Sequence, residues 1–259
     1  MTNYRAFAAL LGAALLSSCD KDAVQQLTGP VAGSQIKFFN FGVNAPGVNF
    51  YANDTKITAT LSATGTESTI GTVYGGAAGA GGTGLYSAID PGQYALMGKI
   101  AATVDKDLTV ATVSTTLENG KFYSFYLSGF YNTTTKTVEG FVIEDPLPPT
   151  FDYTQAYVRF VNAISNSSPM TLWVKNTATS AESAIGSAVS YKSGGTFVGV
   201  QPGVYDISTR VGTSTTAAIT RTAVSFSAGK VYTIAARGDM TITSTTATNR
   251  PFLDNTANR

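Results

Sequence analysis

The sequence contains no histidine and only one cysteine, Cys19. These absences exclude a zinc site built from Cys and His, the Ser-His-Asp and Cys-His arrangements of nucleophilic catalysis, and any disulfide within the chain. The acidic residues form no calcium-binding loop pattern. We therefore predict no catalytic residue, no metal site and no cofactor, and we expect a protein that is not an enzyme.

Charged residues are also scarce, at 13% of the chain against about 25% in typical proteins. The net charge is +1, and removal of residues 1–18 would take away Arg5, one of the 17 basic residues, leaving 16 basic and 16 acidic side chains. A neutral surface argues against nucleic-acid binding, which needs clustered Lys and Arg. Thr and Tyr favour strands, while Gly and Asn favour turns, so this composition predicts an all-β protein.

The first 18 residues have the organisation of a signal peptide. Arg5 precedes an apolar stretch at 6–16 that is too short to span a bilayer. The tetrapeptide Leu16-Ser17-Ser18-Cys19 resembles the bacterial lipobox, and the resemblance implies cleavage before Cys19 and lipidation of its sulfur. The alternative is an ordinary secreted protein with an incidental cysteine. We predict a lipidated N-terminus followed by a flexible tether over residues 19–33.

A lipid on Cys19 implies a membrane as the first partner. We expect the outer membrane of a Gram-negative bacterium, with the protein either periplasmic or exposed on the cell surface. The acidic segment Asp20-Lys21-Asp22 resembles sorting or surface-export signals of some lipoproteins. A solvated tether explains the same three residues equally well.

The chain also contains an internal repeat. Four blocks recur in the same order, with offsets of 122, 122, 111 and 109 residues. The paired blocks are 36–40 with 158–162, 48–51 with 170–173, 90–94 with 201–205, and 119–123 with 228–232. Between the copies lies Asp145-Pro146-Leu147-Pro148-Pro149, a segment that favours extended backbone and cannot continue a sheet.

Each copy has the short alternating strands and regular turns of a sandwich domain. We predict two tandem antiparallel Greek-key, immunoglobulin-like β-sandwich domains. They span residues 34–145 and 156–248, with a semi-rigid Pro-rich linker at 146–155 and an exposed C-terminal tail at 249–259.

The repeated motifs resemble a bacterial family called domain of unknown function 4397. The second copy carries them at 158–162, Met170–Asn176, 202–205 and 228–233, and the first copy departs at Phe39, Phe41 and Asn119. The resemblance covers most of residues 34–240. It implies a sandwich fold and an envelope setting, and it implies no activity and no functional residues.

Candidate binding residues are aromatic. Strand alternation places Met170, Leu172 and Val174 in the core and sends Trp173 outward, and Tyr51 holds the equivalent position in the first copy. Exposed aromatic rings stack on sugars or fill a partner's pocket. The competing interpretation is that these rings pack in the fold or cover the domain junction.

Three functions remain open on this basis. The first is a non-enzymatic binding or adhesion module of the cell envelope, with a glycan or an envelope protein as its partner. The second is a structural spacer or an accessory subunit of an envelope complex. The third is a hydrolase using carboxylates such as Asp105 and Asp107, which would then line a cleft. The other acidic pair, Glu144 and Asp145, adjoins the linker and is predicted to lie at the interdomain surface.

Overall fold

The computed structural model describes residues 33–59, 62–79 and 86–258. Cys19 and the tether up to residue 32 lie outside the described residues. Within those ranges no helix is long and apolar enough to cross a bilayer.

In the part of the chain that the structure describes, each domain contains nine strands in the same order. The first domain contains β1 Ser34–Asn40, β2 Val48–Ala52, β3 Thr55–Lys56, β4 Gly76–Ala78, β5 Ser87–Ile89, β6 Gly92–Ile100, β7 Thr109–Leu117, β8 Phe122–Asn132 and β9 Thr137–Glu144. The second contains β10 Ala156–Asn162, β11 Met170–Asn176, β12 Glu182–Val189, β13 Ser193–Gly194, β14 Val198–Val200, β15 Gly203–Val211, β16 Ile219–Phe226, β17 Val231–Arg237 and β18 Phe252–Ala257.

The two domains share one sheet topology. In the first domain, one sheet has the order β4-β1-β8-β9 with β5 beside β1, and the other has the order β3-β2-β6-β7. In the second domain, the corresponding orders are β13-β10-β17-β18 with β14 beside β10, and β12-β11-β15-β16. The prediction of an all-β protein with two tandem sandwiches is confirmed.

One pairing in each domain departs from the predicted antiparallel arrangement. Strand β1 runs parallel to β8, and β10 runs parallel to β17. In each pair the two strands begin at the same end of the sandwich, although six strands separate them along the chain. Residue alternation fixes which face of a strand is buried, but it carries no information about which strand lies beside it.

The cores follow the predicted alternation. In β11 the side chains of Met170, Leu172 and Val174 are buried in the core of the second domain, while Trp173 is half-buried on the opposite face. The first core is more aromatic. Phe38 stacks on Phe50 with ring centroids 5.0 Å apart, and Phe125 meets both rings edge-on.

Two tyrosines in each domain hold the turns of the third and fourth repeated blocks. After each Pro-Gly, the tyrosine hydroxyl donates back to the carbonyl four residues earlier, Tyr94 to Asp90 at 2.9 Å and Tyr205 to Gln201 at 2.6 Å. In the later block, the hydroxyl of Tyr123 accepts from the amide of Glu118, as Tyr232 does from that of Ser227, both at 3.1 Å. These bonds fix the turns that precede β6, β8, β15 and β17.

The prediction of an exposed C-terminal tail is wrong. Strand β18 pairs antiparallel with β17 along its whole length, and both Leu253 and Asn258 are buried. The segment has few apolar residues, so alternation alone does not reveal it. Two of its polar side chains bond to other strands, through a 2.5 Å ion pair between Asp254 and Arg237 and the junction bonds of Asn258 described below. The second sandwich therefore runs from residue 156 to 258.

Candidate functional site

The two predicted surface aromatics do not form an open patch. Tyr51 is only 7% exposed, and its hydroxyl donates to Asp107 at 2.9 Å. The Lys99 ammonium lies 4.4 Å from the Tyr51 ring centroid. The prediction of an exposed ring is therefore wrong for Tyr51, because a long cationic side chain from the neighbouring strand covers it.

Trp173 has the same surroundings in the second domain. It is half-buried, and the Arg210 guanidinium lies 4.4 Å from its ring centroid. Arg210 is held in place by a 2.6 Å ion pair with Glu182. Lys99 and Arg210 occupy matching positions beside β2 and β11. The covered aromatic is therefore a shared feature of both domains, and binding by Trp173 stays a prediction.

The acidic pairs occupy two very different environments. Asp105 and Asp107 lie in an exposed turn with positive φ angles of 58° and 61°, and Asp105 forms a 2.7 Å ion pair with Lys136. The prediction that this pair lines a cleft is wrong, since both carboxylates project from a loop. Glu144 is exposed and pairs with Lys121 at 3.1 Å, whereas Asp145 is buried at the domain junction.

The domain junction is a continuous apolar layer between the two long sheets. The outer faces of β1, β8 and β9 meet those of β10 and β17, so these sheets are covered on both sides. Tyr126 lies at the centre, with its ring 4.5 Å from that of Phe39 and 5.0 Å from that of Phe141. Val161 and Ala235 face this group from the second domain. The linker does not act as a spacer, because the two sandwiches pack directly against each other.

The two domains contribute side chains of different size to this layer. Phe39 and Tyr126 of the first domain correspond in the repeat to Val161 and Ala235 of the second. Large rings on one side therefore fill the space left by small side chains on the other. The layer is matched to this pair of domains rather than to two identical copies.

A buried ion pair crosses the junction. The Arg159 guanidinium binds both Asp145 Oδ1 and the carbonyl of Glu144, the latter at 3.0 Å. The other Asp145 oxygen accepts from Ser124 at 2.7 Å and from the Tyr86 hydroxyl at 2.5 Å. Burial, together with the Asp145 charge, raises the pKa of Tyr86 far above its usual range. Both oxygens of the carboxylate therefore accept hydrogen bonds, one from Arg159 and two from side-chain hydroxyl groups.

Lys37 makes the corresponding contact from the first domain, but its charge faces neutral hydrogen-bond acceptors rather than a carboxylate. The Lys37 ammonium donates to Asn258 Oδ1 at 2.7 Å and to the carbonyl of Ala257 at 3.1 Å. Burial lowers the pKa of Lys37 to about 8, partly opposed by the charge of Asp145. Among the described residues, the fully buried charges of the junction are thus two cations, Lys37 and Arg159, and one carboxylate, Asp145, because an amide occupies the place of a second acid.

An open groove of about 720 Å³ lies on the second domain, between edge strand β16 and the connection from β17 to β18. Arg221 and Arg250 line it. The described residues that line two other grooves, of about 580 Å³ and 380 Å³, carry no charge. Of these three grooves, the one beside β16 is therefore the one with charged side chains in its lining.

Sequence reasoning had correctly placed Asp145 at the interdomain surface, but it had predicted neither the packing of the two long sheets against each other nor the groove. A signal for the junction was present in β1, where Lys37, Phe39 and Phe41 lie on the face opposite the core. An apolar residue on each side of one strand indicates burial on both faces. The groove left no such signal, because its apolar, hydroxyl and charged residues come from β16 and from the connection that follows β17, which are separated in the chain. Within the described residues, no three Asp, Glu, Cys or His side chains cluster as metal ligands would.

Comparison with known proteins gives one result. No curated protein matches the chain. The family described as domain of unknown function (DUF4397) matches it twice, over residues 34–166 and 156–259. The second match includes β18, in agreement with a sandwich that extends to the end of the described residues. The chain therefore belongs to the DUF4397 family and carries two copies of its domain.

Proposed function

We propose that this protein is a non-enzymatic binding module of a bacterial cell envelope, held to the outer membrane by a lipid on Cys19. One observation carries the binding role. The two sandwiches form a single body through their buried junction, and this body presents a preformed groove beside β16. A groove fixed on rigid strands loses little conformational freedom when a ligand binds.

The position of the groove on the two sandwiches supports this role. The tether enters β1 at Ser34, and the linker leaves β9 at the same end of the first sandwich. Contacts of Lys37 with Ala257 place the corresponding end of the second sandwich beside it. The groove is formed by the connection that follows Arg237, at the opposite end of the strands. The groove therefore lies at the end of the sandwiches opposite Ser34, the first residue of β1.

The anchor is tested by fractionating cells that express the wild type or Cys19→Ala. We expect the wild type in the outer-membrane fraction and the variant in the soluble fraction. Protease treatment of intact cells then distinguishes a surface-exposed protein, which is digested, from a periplasmic one, which is protected. Equal membrane association of both forms would refute the lipid anchor.

The binding role is tested separately with purified full-length protein in detergent. Isolated outer membranes and extracted surface polysaccharide are titrated against it, and we expect saturable binding to at least one of them. Non-saturable binding to all of this material would refute the binding role, whatever the result for Cys19.

A second candidate function, an accessory subunit of an envelope complex, rests on a different surface. Five of the large apolar side chains exposed on the described residues lie at one end of the first sandwich, namely Ile70, Val73, Val104, Leu108 and Phe130. The loops that carry them are joined by an Ala101–Gly47 backbone bond and the Lys136–Asp105 ion pair. Exposed apolar clusters are typical of protein–protein contacts. Crosslinking in intact envelopes tests this candidate, and a chain that stays monomeric and uncrosslinked would refute it.

A further inference from the structure

The two domains differ in the connection between their last two strands. In the first domain, residues 133–136 form a short turn between β8 and β9. In the second, residues 238–251 form a much longer loop between β17 and β18. A closed sandwich needs only the short version, and long loops in compact domains are commonly functional.

This long loop is held in one conformation by its own bonds. The amide of Asp239 donates to the carbonyl of Asn249 at 2.9 Å, which closes the loop at its base. The side chain of Asn166 both donates to Asp239 Oδ1 at 2.7 Å and accepts from the amide of Met240 at 3.1 Å. The loop wall of the groove is therefore preorganised.

The lining of the groove is rich in hydroxyl groups. They come from both walls, with two on β16 and three on the loop: Thr220, Thr222, Thr243, Ser244 and Thr245. A hydroxyl both donates and accepts hydrogen bonds, which matches the hydroxyl groups of a sugar. No acidic residue is among the described residues that line the groove.

The groove contains two cations whose guanidinium groups bind backbone carbonyl groups. Arg221 donates to the carbonyl of Leu253 at 2.7 Å, and Arg250 donates to that of Ala247 at 2.9 Å. Neither is in an ion pair among the described residues, whereas neighbouring Arg237 pairs with Asp254. Both guanidinium groups lie 5.3 Å from the ring centroid of Phe252, so the same aromatic side chain contacts both cations of the groove.

We propose that this groove binds an acidic saccharide, with its carboxylates at Arg221 and Arg250 and its hydroxyl groups along the Thr and Ser side chains. This inference rests on the proposed binding function and names the class of ligand. A guanidinium with spare donors is suited to bidentate binding of a carboxylate. A bare inorganic anion would leave most of the groove and its hydroxyl groups unused.

The test is calorimetric titration of the purified full-length protein with tetragalacturonic acid and with its neutral methyl ester. We expect binding of the acid that weakens as salt is raised, and binding of the ester that is at least about tenfold weaker, because a charged hydrogen-bond partner is lost. Arg250→Gln should weaken binding of the acid by a similar factor. Thr222→Val, which keeps the shape of the strand residue, should weaken it several-fold.

Lys230→Gln is the matched control, since it removes one positive charge from an exposed turn at the other end of β17. It should leave binding unchanged. Equal binding of the acid and the ester would refute an acidic ligand, and equal binding by wild type and Arg250→Gln would refute this site. Absent saccharide binding together with saturable binding to isolated envelopes would overturn this inference alone. If envelope binding is also absent, the proposed binding function is refuted as well.

Discussion

Lys37 and Arg159 occupy the same position in the two repeats, and each donates hydrogen bonds to the end of the last strand of the other domain. Lys37 binds Ala257 and Asn258, while Arg159 binds Glu144 and Asp145. The junction thus has approximate two-fold symmetry. The aromatic neighbours obey it too, since Lys37 lies 4.2 Å from the ring centroid of Tyr86, and Arg159 lies 4.8 Å from that of Phe197.

Asp145→Asn should destabilise the protein strongly, because Asp145 is the only fully buried acid among the described residues and compensates the two buried cations. Removing one partner of a buried pair leaves a charge without compensation, which costs about 3–5 kcal/mol. The measurement is the free energy of unfolding in guanidinium chloride. Glu144→Gln is the control, since its exposed pair with Lys121 should contribute no more than about 1 kcal/mol. Equal losses for the two variants would contradict the importance of the junction pair.

Asn258→Asp should instead stabilise the protein. The new carboxylate would face Lys37 as Asp145 faces Arg159, and the Thr233 hydroxyl could donate to it as Ser124 does to Asp145. Thermal unfolding should show a higher midpoint for this variant than for the wild type. Asn258→Ala, which leaves Lys37 without its side-chain acceptor, should lower the midpoint and cost about 1–3 kcal/mol. A lower midpoint for Asn258→Asp would show that burying another charge costs more than the pairing returns.

The lowered pKa of Lys37 predicts a specific dependence of stability on pH. Below pH 8, Lys37 carries its proton in both the folded and the unfolded chain. Between about 8 and the ordinary value of 10.5, the unfolded chain binds more protons, so the free energy of unfolding rises with pH. The total gain from this group is at most about 3 kcal/mol.

Other groups titrate in the same range, so the measurement is a comparison of unfolding free energies for wild type and Lys37→Met from pH 7 to 10. We expect the wild type to gain stability relative to the variant as pH rises. The exposed Lys230→Met should show no such trend against the wild type. Parallel curves for wild type and Lys37→Met would mean that burial does not shift this lysine.

The sequence was informative wherever one residue's local surroundings decide its position. Alternation along Met170–Asn176 correctly separated the core face from the face that carries Trp173. The repeated blocks correctly gave two domains, because two of the four blocks in each copy fix a turn through a tyrosine. These features depend on contacts within a few residues or across one hairpin.

The sequence did not predict features that depend on partners outside the local segment. The parallel pairing of β1 with β8 joins strands that six other strands separate in the chain. The strand at Phe252–Ala257 pairs with the preceding strand across a 14-residue loop, and its polar sequence shows no clear alternation. A buried Lys37 is also unexpected in composition terms, since lysine is almost never fully buried without a partner. Its partner, Asn258, lies 221 residues away and in the other domain.

Arg210→Ala should expose Trp173 and thereby test the predicted aromatic binding site. Trp173 is the only tryptophan of the chain, so intrinsic fluorescence reports on this position alone. Loss of the guanidinium that covers the ring should move the emission maximum to longer wavelength. Lys175→Ala, on the same strand but exposed, should leave the emission unchanged.

If Arg210→Ala strengthens binding to envelope material and Trp173→Ala abolishes that gain, the covered ring is a binding surface. If neither variant changes binding, Trp173 serves only to pack the outer face of its sheet.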